Sequence, residues 1–152
     1  MTVRVKVWFP SGVDIGHAAM EVDGGSPPGI MYFSRWPGSL AAVFFIGAGD
    51  IHTFESDVSD EHRRQPSVVT LTKLNETNIK IAMKLADRVS VYGFATANCA
   101  QQVGWCLRQG LGVAGGLVDM TFARVAPQLR DAAILTPWNL YAYAQSLRPV
   151  YG

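Results

Sequence analysis

The sequence predicts an α+β fold, a small antiparallel sheet packed against helices. Three observations predict it. Apolar and polar residues alternate near the N-terminus, which is the period of a strand buried on one face. Two further strand-like runs flank a loop made almost wholly of turn residues, which reads as a hairpin. The second half of the chain then carries segments that open on helix-capping residues.

In order, "TVRVKVWF" at 2–9 alternates Val with polar residues and reads as a half-buried strand. "PSGVDIG" is a loop, and "HAAMEV" at 17–22 is a second strand that ends at the breakers "DGGSPPG". "IMYFSRW" at 30–36 is a third strand. "PGSLAAVFFIGAGDIHTF" reads as loop or short helix, with "VFFI" as strand or buried helical turn, and residues 52–67 read as polar and irregular. "SVVTLTKL" at 67–74 is a fourth strand. Asn75 or Thr77 then caps a helix to about Asp87, with Ile79, Met83 and Leu85 or Ala86 on its apolar side. Val89 to Ala95 reads as strand or extended loop and gives way to a helix from about Ala100 to Gln109, with Gly110 as its C′ residue. "LGVAGGLVDM" is a connection. In "TPWNLYAYAQSLR", Thr136 is an N-cap, Pro137 takes the first helical position, and Leu140, Tyr143, Ala144 and Leu147 form a stripe. No internal repeat is visible.

At 152 residues the chain is most simply one domain, 1–152, long enough to bury a core without staples. An apolar fraction of 49% with only 16% charged residues argues against disorder. The net charge of +1 gives no electrostatic case for nucleic acid. "MTVRVKVWFPSG" has no sustained apolar core of a signal peptide, and "LAAVFFIGAG" at 40–49 is too short to span a bilayer. The expectation is a soluble protein made in the cytoplasm, with export by a specialised secretion system left open.

The chemistry centres on Cys99 and His17. A thiol at a helix start meets the positive end of the helix dipole and unpaired backbone N–H groups, which favour the nucleophilic thiolate. A histidine brought alongside acts as general base and acid. A free cysteine is ordinarily a buried small hydrophobe, and Cys106, between Trp105 and Leu107 in mid-helix, fits that description. Cys99 differs: small residues and Asn98 precede it where a helix begins. The two thiols stand ~10 Å apart along a helix axis at ~1.5 Å per residue, beyond the ~7 Å that a disulfide allows between Cα atoms. His17 has only small neighbours, Gly16, Ala18 and Ala19, so another element or a substrate can approach its ring; the plain alternative is a satisfied histidine at a strand end. His52 and His62 lie in polar sequence and are expected to be exposed. No His/Cys spacing matches a structural zinc pattern, so neither metal nor cofactor is expected.

"GHAAMEV", a hairpin to "YFSRWPG", and "NCAQQV" at a helix start together resemble the circularly permuted papain-like cysteine hydrolases. That superfamily includes the lecithin:retinol acyltransferase family and relatives of the bacterial NlpC-type cell-wall peptidases. The resemblance covers about residues 14–110. "NC" alone is weak; the ordered set, with the histidine strand ahead of the cysteine helix, is more specific. It implies Cys99 as nucleophile and His17 as base. The residue that orients the imidazole would come from the next strand, where Ser34 is the best positional match and Tyr32 shares its face. Many relatives carry His, Asn or a carboxylate there. The Cys99 backbone N–H would form part of an oxyanion hole, with Asn98 and Gln101 as nearby polar candidates for the rest.

The implied reaction is acyl transfer through a thioester, followed by attack of water or another acceptor. The permuted branch resembles enzymes of lipid acyl esters, and "AAVFFIGAG" and "VWFP" either line a groove for an acyl chain or are core and edge strand. The implied function is therefore a cysteine-dependent hydrolase or acyltransferase acting on phospholipid, of the kind delivered as an antibacterial effector toxin. The partners expected are an acyl-containing small molecule or lipid, with a membrane surface and an inhibitor (immunity) protein as further candidates. The competing readings are an amidase acting on peptidoglycan or protein, and a non-catalytic binding module on the same fold.

Overall fold

The alternation of valines in β1 (Thr2–Trp8) sets the architecture. In a computed structural model, which describes residues 1–12, 14–24, 29–39, 47–89, 91–93, 98–112 and 136–152, Val3, Val5 and Val7 turn to a dry interior while Arg4, Lys6 and Trp8 turn the other way. β2 (His17–Asp23) pairs antiparallel with β1, placing Val3 opposite Val22 and Trp8 opposite His17. β3 (Ile30–Pro37) pairs with β2, with Ala19 opposite Ser34 and Glu21 opposite Tyr32. β4 (Gly47–Ile51), β5 (Ser67–Leu71) and the two-residue β6 (Val91–Tyr92) complete an antiparallel sheet in the order β5-β1-β2-β3-β4-β6. The hairpin and the α+β class expected from sequence are present.

The described helices are α1 (Phe54–Asp60), α2 (Glu76–Val89), α3 (Cys99–Gly110) and α4 (Pro137–Tyr151). One sheet face is apolar: Val3, Val5, Val7, Ala18, Met20, Val22, Phe33, Val69 and Leu71 are buried there in one core cluster with Val103, Leu107, Leu140 and Ala144 of the helices. α3 lies on β2 and β3, α4 lies on β1 and β5, and α2 packs on α3. Asn75 caps α2 by accepting from the Asn78 N–H at 3.0 Å, and Thr136 caps α4 by accepting from the Asn139 N–H at 3.2 Å. The stripes expected on both helices are buried or half-buried. No described helix is long and apolar enough to cross a membrane.

The structure corrects the sequence reading in several places. Residues 52–67 are not irregular throughout, since Thr53 and Ser56 form a capping box that starts α1. Gly47–Ile51 is a strand, whereas "LAAVFFI" at 40–46 lies outside the described residues, as does most of "LGVAGGLVDM". The run from Val89 is divided: Val89 ends α2, and only Val91–Tyr92 pairs as strand, against Gly47 and Ala48. Gly110 is not the C′ residue of α3. The chain continues to Leu111, and Gly112 takes the left-handed conformation at φ +68°. Gly110 has another cause: a Cβ there would stand 2.5 Å from Ile79, so its absence lets α2 and α3 meet. His52 is half-buried, while His62 is exposed as expected.

Candidate active site

The second sheet face carries the polar chemistry. Alternation and register put Trp8, His17, Tyr32, Ser34 and Trp36 on it together. His17 opens β2 and is buried, its ring between two indoles: Trp36 is stacked at 4.4 Å between centroids and Trp8 lies at 5.6 Å. Both indoles are fixed by their N–H groups. Trp8 Nε1 donates to the Arg64 carbonyl at 2.8 Å and Trp36 Nε1 donates to Asp57 Oδ1 at 2.7 Å. The imidazole therefore sits in a rigid slot.

Asp57 is the centre of this face. It is the fully buried residue of α1, and its carboxylate accepts from Tyr32 Oη at 2.6 Å, Ser34 Oγ at 2.9 Å and Trp36 Nε1 at 2.7 Å. His17 Nε2 lies 2.9 Å from Ser34 Oγ and 3.3 Å from Asp57 Oδ2. A hydroxyl has one proton, and Ser34 gives it to Asp57, which as a carboxylate can only accept. Ser34 must then accept from His17, so the ring carries a proton on Nε2 and Nδ1 is left for another partner. Burial opposes ionisation of Asp57, but the hydrogen bond and charge of His17 and the hydroxyls of Tyr32 and Ser34 outweigh it and lower its pKa. His52 Nδ1 stands 3.1 Å from Asp60 and 3.5 Å from Asp57 without hydrogen-bond geometry, and its ring faces Trp36.

Cys99 is the first residue of α3. Asn98 is the N-cap: its side chain accepts from the Gln101 N–H at 3.0 Å, and the Gln101 side chain accepts from the Asn98 N–H at 3.0 Å. Both side-chain oxygens thus close the capping box. The first-turn N–H groups of Cys99 and Ala100 have no acceptor within the helix. Cys99 lies close enough to His17 and to Tyr92 for its charge to act on both. Burial lowers the basicity of His17. The negative charge of Cys99, with the hydrogen bonds and charge of Asp57 and the hydrogen bond to Cys99, more than reverses this and raises the imidazole from 6.5 to about 9. Cys106 is a free thiol in the core, and burial pushes its pKa up.

Cys99 opens on a cleft of about 120 Å³ lined by Pro10, Ile15, Gly16, Tyr92, Pro137 and Trp138, with Asn98 and Thr136 at its polar margin. Two roomier clefts, of about 190 and 450 Å³, do not have Cys99 in their walls. Of "VWFP", Val7 is core, Trp8 walls His17, Phe9 stacks on Trp138 at 3.9 Å and Pro10 lines the cleft.

The structure therefore brings together Cys99, His17, Ser34, Tyr32, Asn98 and Gln101, the residues singled out from sequence. Sequence reasoning missed Asp57 and Tyr92. The signal for Asp57 was the Thr53-x-x-Ser56 box with acidic residues after it, which marks a helix start. Tyr92 had no signal beyond its place in a strand-like run ahead of the cysteine helix. Comparison of the chain with protein-family models, with curated proteins and with solved structures finds no match.

Proposed function

We propose that this chain is a cysteine-dependent acyl hydrolase or acyltransferase with the permuted papain-like order of histidine strand and cysteine helix, acting on lipid acyl esters. The observation that carries the reading is that one buried histidine, His17, interacts with both Cys99 and the Ser34–Asp57 pair. His17 Nδ1 holds the proton drawn from the thiol in the resting ion pair, and Nε2–H is held by Ser34 and Asp57. The Cys99 sulfur attacks the ester carbonyl carbon. Collapse of the tetrahedral adduct expels the alcohol, which takes its proton from the imidazolium, and leaves a thioester on Cys99. Water or a second alcohol, activated by His17, then releases the acyl group. The walls of the cleft, Pro10, Ile15, Tyr92, Pro137 and Trp138, favour an apolar acyl group over a charged one.

Incubation with phosphatidylcholine vesicles, followed by mass spectrometry, tests it. The expected result is an acyl adduct on Cys99 that hydroxylamine removes, together with free fatty acid or transferred acyl product, all absent in Cys99→Ser. Cleavage of muropeptides with no lipid product would move the assignment to amide bonds. A folded protein whose Cys99 is alkylated by iodoacetamide no faster than a model thiol would leave a binding module instead.

A further inference from the structure

We infer that Tyr92 is a catalytic residue of this site, its hydroxyl supplying an oxyanion donor that works with the Cys99 backbone N–H. The inference rests on Cys99 being an acyl-transfer nucleophile. Tyr92 is buried, lines the same cleft as Cys99, and lies close enough for the two side chains to interact electrostatically. Its backbone is pinned by the pairing with Gly47, and its Cβ packs so closely over Gly49 that a methyl added there would come within 3.2 Å. The side chain is thus preorganised, as a transition-state donor must be.

Burial and the neighbouring Cys99 charge raise the Tyr92 pKa, which keeps the phenol protonated and able to donate. In the resting site the phenol interacts with the Cys99 sulfur. When the C–S bond forms, the carbonyl π pair moves onto oxygen, so negative charge leaves sulfur and appears on an atom bonded to the same carbon. One hydroxyl can follow that shift by rotation, without proton transfer from the phenol. The Cys99 N–H, at the first turn of α3, meets the oxyanion from the helix side. Collapse restores the C=O bond, breaks the bond to the leaving oxygen, and releases the Tyr92 hydroxyl. Asn98 and Gln101, whose side-chain oxygens close the capping box, are not needed as the second donor.

Tyr92→Phe separates the two roles a phenol could have here. Alkylation by iodoacetamide uses the sulfur and creates no oxyanion; acylation by p-nitrophenyl acetate uses the same sulfur and does. The expected result is an acylation burst slowed by about 10²-fold with alkylation of Cys99 unchanged or faster. Equal losses in both reactions would overturn the inference and make Tyr92 a modulator of the thiol. An unchanged acylation rate would overturn it outright. If wild-type Cys99 is alkylated rapidly but p-nitrophenyl acetate never acylates it, the acyl-transfer reading fails, and the role of Tyr92 fails with it.

Discussion

His17 reaches Asp57 by two routes: directly, with Nε2 3.3 Å from Oδ2, and through Ser34, which lies 2.9 Å from each. The short route runs through the serine, while the charge that joins that of Cys99 in stabilising an imidazolium belongs to the aspartate. The two residues are therefore unequal in what they supply. Asp57→Asn removes the charge and places an amide among three donors, so kcat/KM is expected to fall by about 10²–10⁴-fold. Ser34→Ala removes both hydrogen bonds of the serine, but only the one from His17 bears on the imidazole, about 1.5 kcal/mol or roughly tenfold in rate, because the direct approach to Asp57 remains. Steady-state kinetics of the two variants on one ester substrate check the order. A larger loss in Ser34→Ala than in Asp57→Asn would refute this division of roles.

Cys99 and Asp57 together set the pH behaviour of His17. His17 is held at about 9 against an ordinary 6.5, so its proton, needed by the leaving group, stays on through neutral pH. The rate is expected to fall on the alkaline side as pH passes about 9, and Asp57→Asn moves that limb to lower pH by the part of the shift that Asp57 supplies, the part due to Cys99 remaining. Stability follows the same sign. The folded value lies above the unfolded one, so the contribution of the charged ring is complete below about 6.5 and is lost as pH rises through about 9. Unfolding free energies of wild type and His17→Gln, measured between those limits, should therefore converge as pH rises.

The two cysteines give a second contrast. Both are buried, so exposure alone does not distinguish them. Cys99 lines a cleft beside His17, whereas Cys106 sits in the core with its pKa pushed up by burial. Iodoacetamide at neutral pH is expected to label Cys99 and spare Cys106 until the protein unfolds, and His17→Ala should slow the labelling of Cys99. Peptide mapping by mass spectrometry reads both outcomes. Labelling of Cys106 at a comparable rate in folded protein would contradict the contrast.

The strands and the reactive pair were legible because each had a period or a position to betray it. Valine alternation fixed the faces of β1, and the small neighbours of His17 and the Asn98 cap marked the two ends of the site. Ser34 and Tyr32 followed from counting along β3 in twos. Asp57 had only the capping box of α1 to mark it, for a physical reason. α1 is only seven residues long and buries a carboxylate rather than an apolar stripe, so it has no hydrophobic period to detect. The partners that make that burial tolerable, Ser34, Tyr32, Trp36 and His17, lie between 21 and 40 positions away in sequence. Tyr92 was hidden likewise, since its bearing on Cys99 depends on β6 joining the sheet edge next to β4.

Gly16 links the cleft to the slot that holds His17. It adopts φ +79°, and a Cβ there would stand 2.5 Å from the Trp8 carbonyl oxygen and 2.8 Å from the Pro10 nitrogen, both backbone atoms that cannot turn aside. Gly12, in the same loop, has φ +62° but nothing within 4 Å of the added atom. Gly12→Ala therefore incurs only the left-handed backbone cost of about 1–2 kcal/mol. Gly16→Ala incurs a similar cost plus displacement of Trp8 or Pro10, which wall His17 and the Cys99 cleft. Urea denaturation should find Gly16→Ala the less stable of the two. At temperatures where both variants are fully folded, kcat/KM should drop for Gly16→Ala and stay near wild type for Gly12→Ala. Equal activity in the two would mean that the Trp8–Pro10 wall does not position His17 and Cys99.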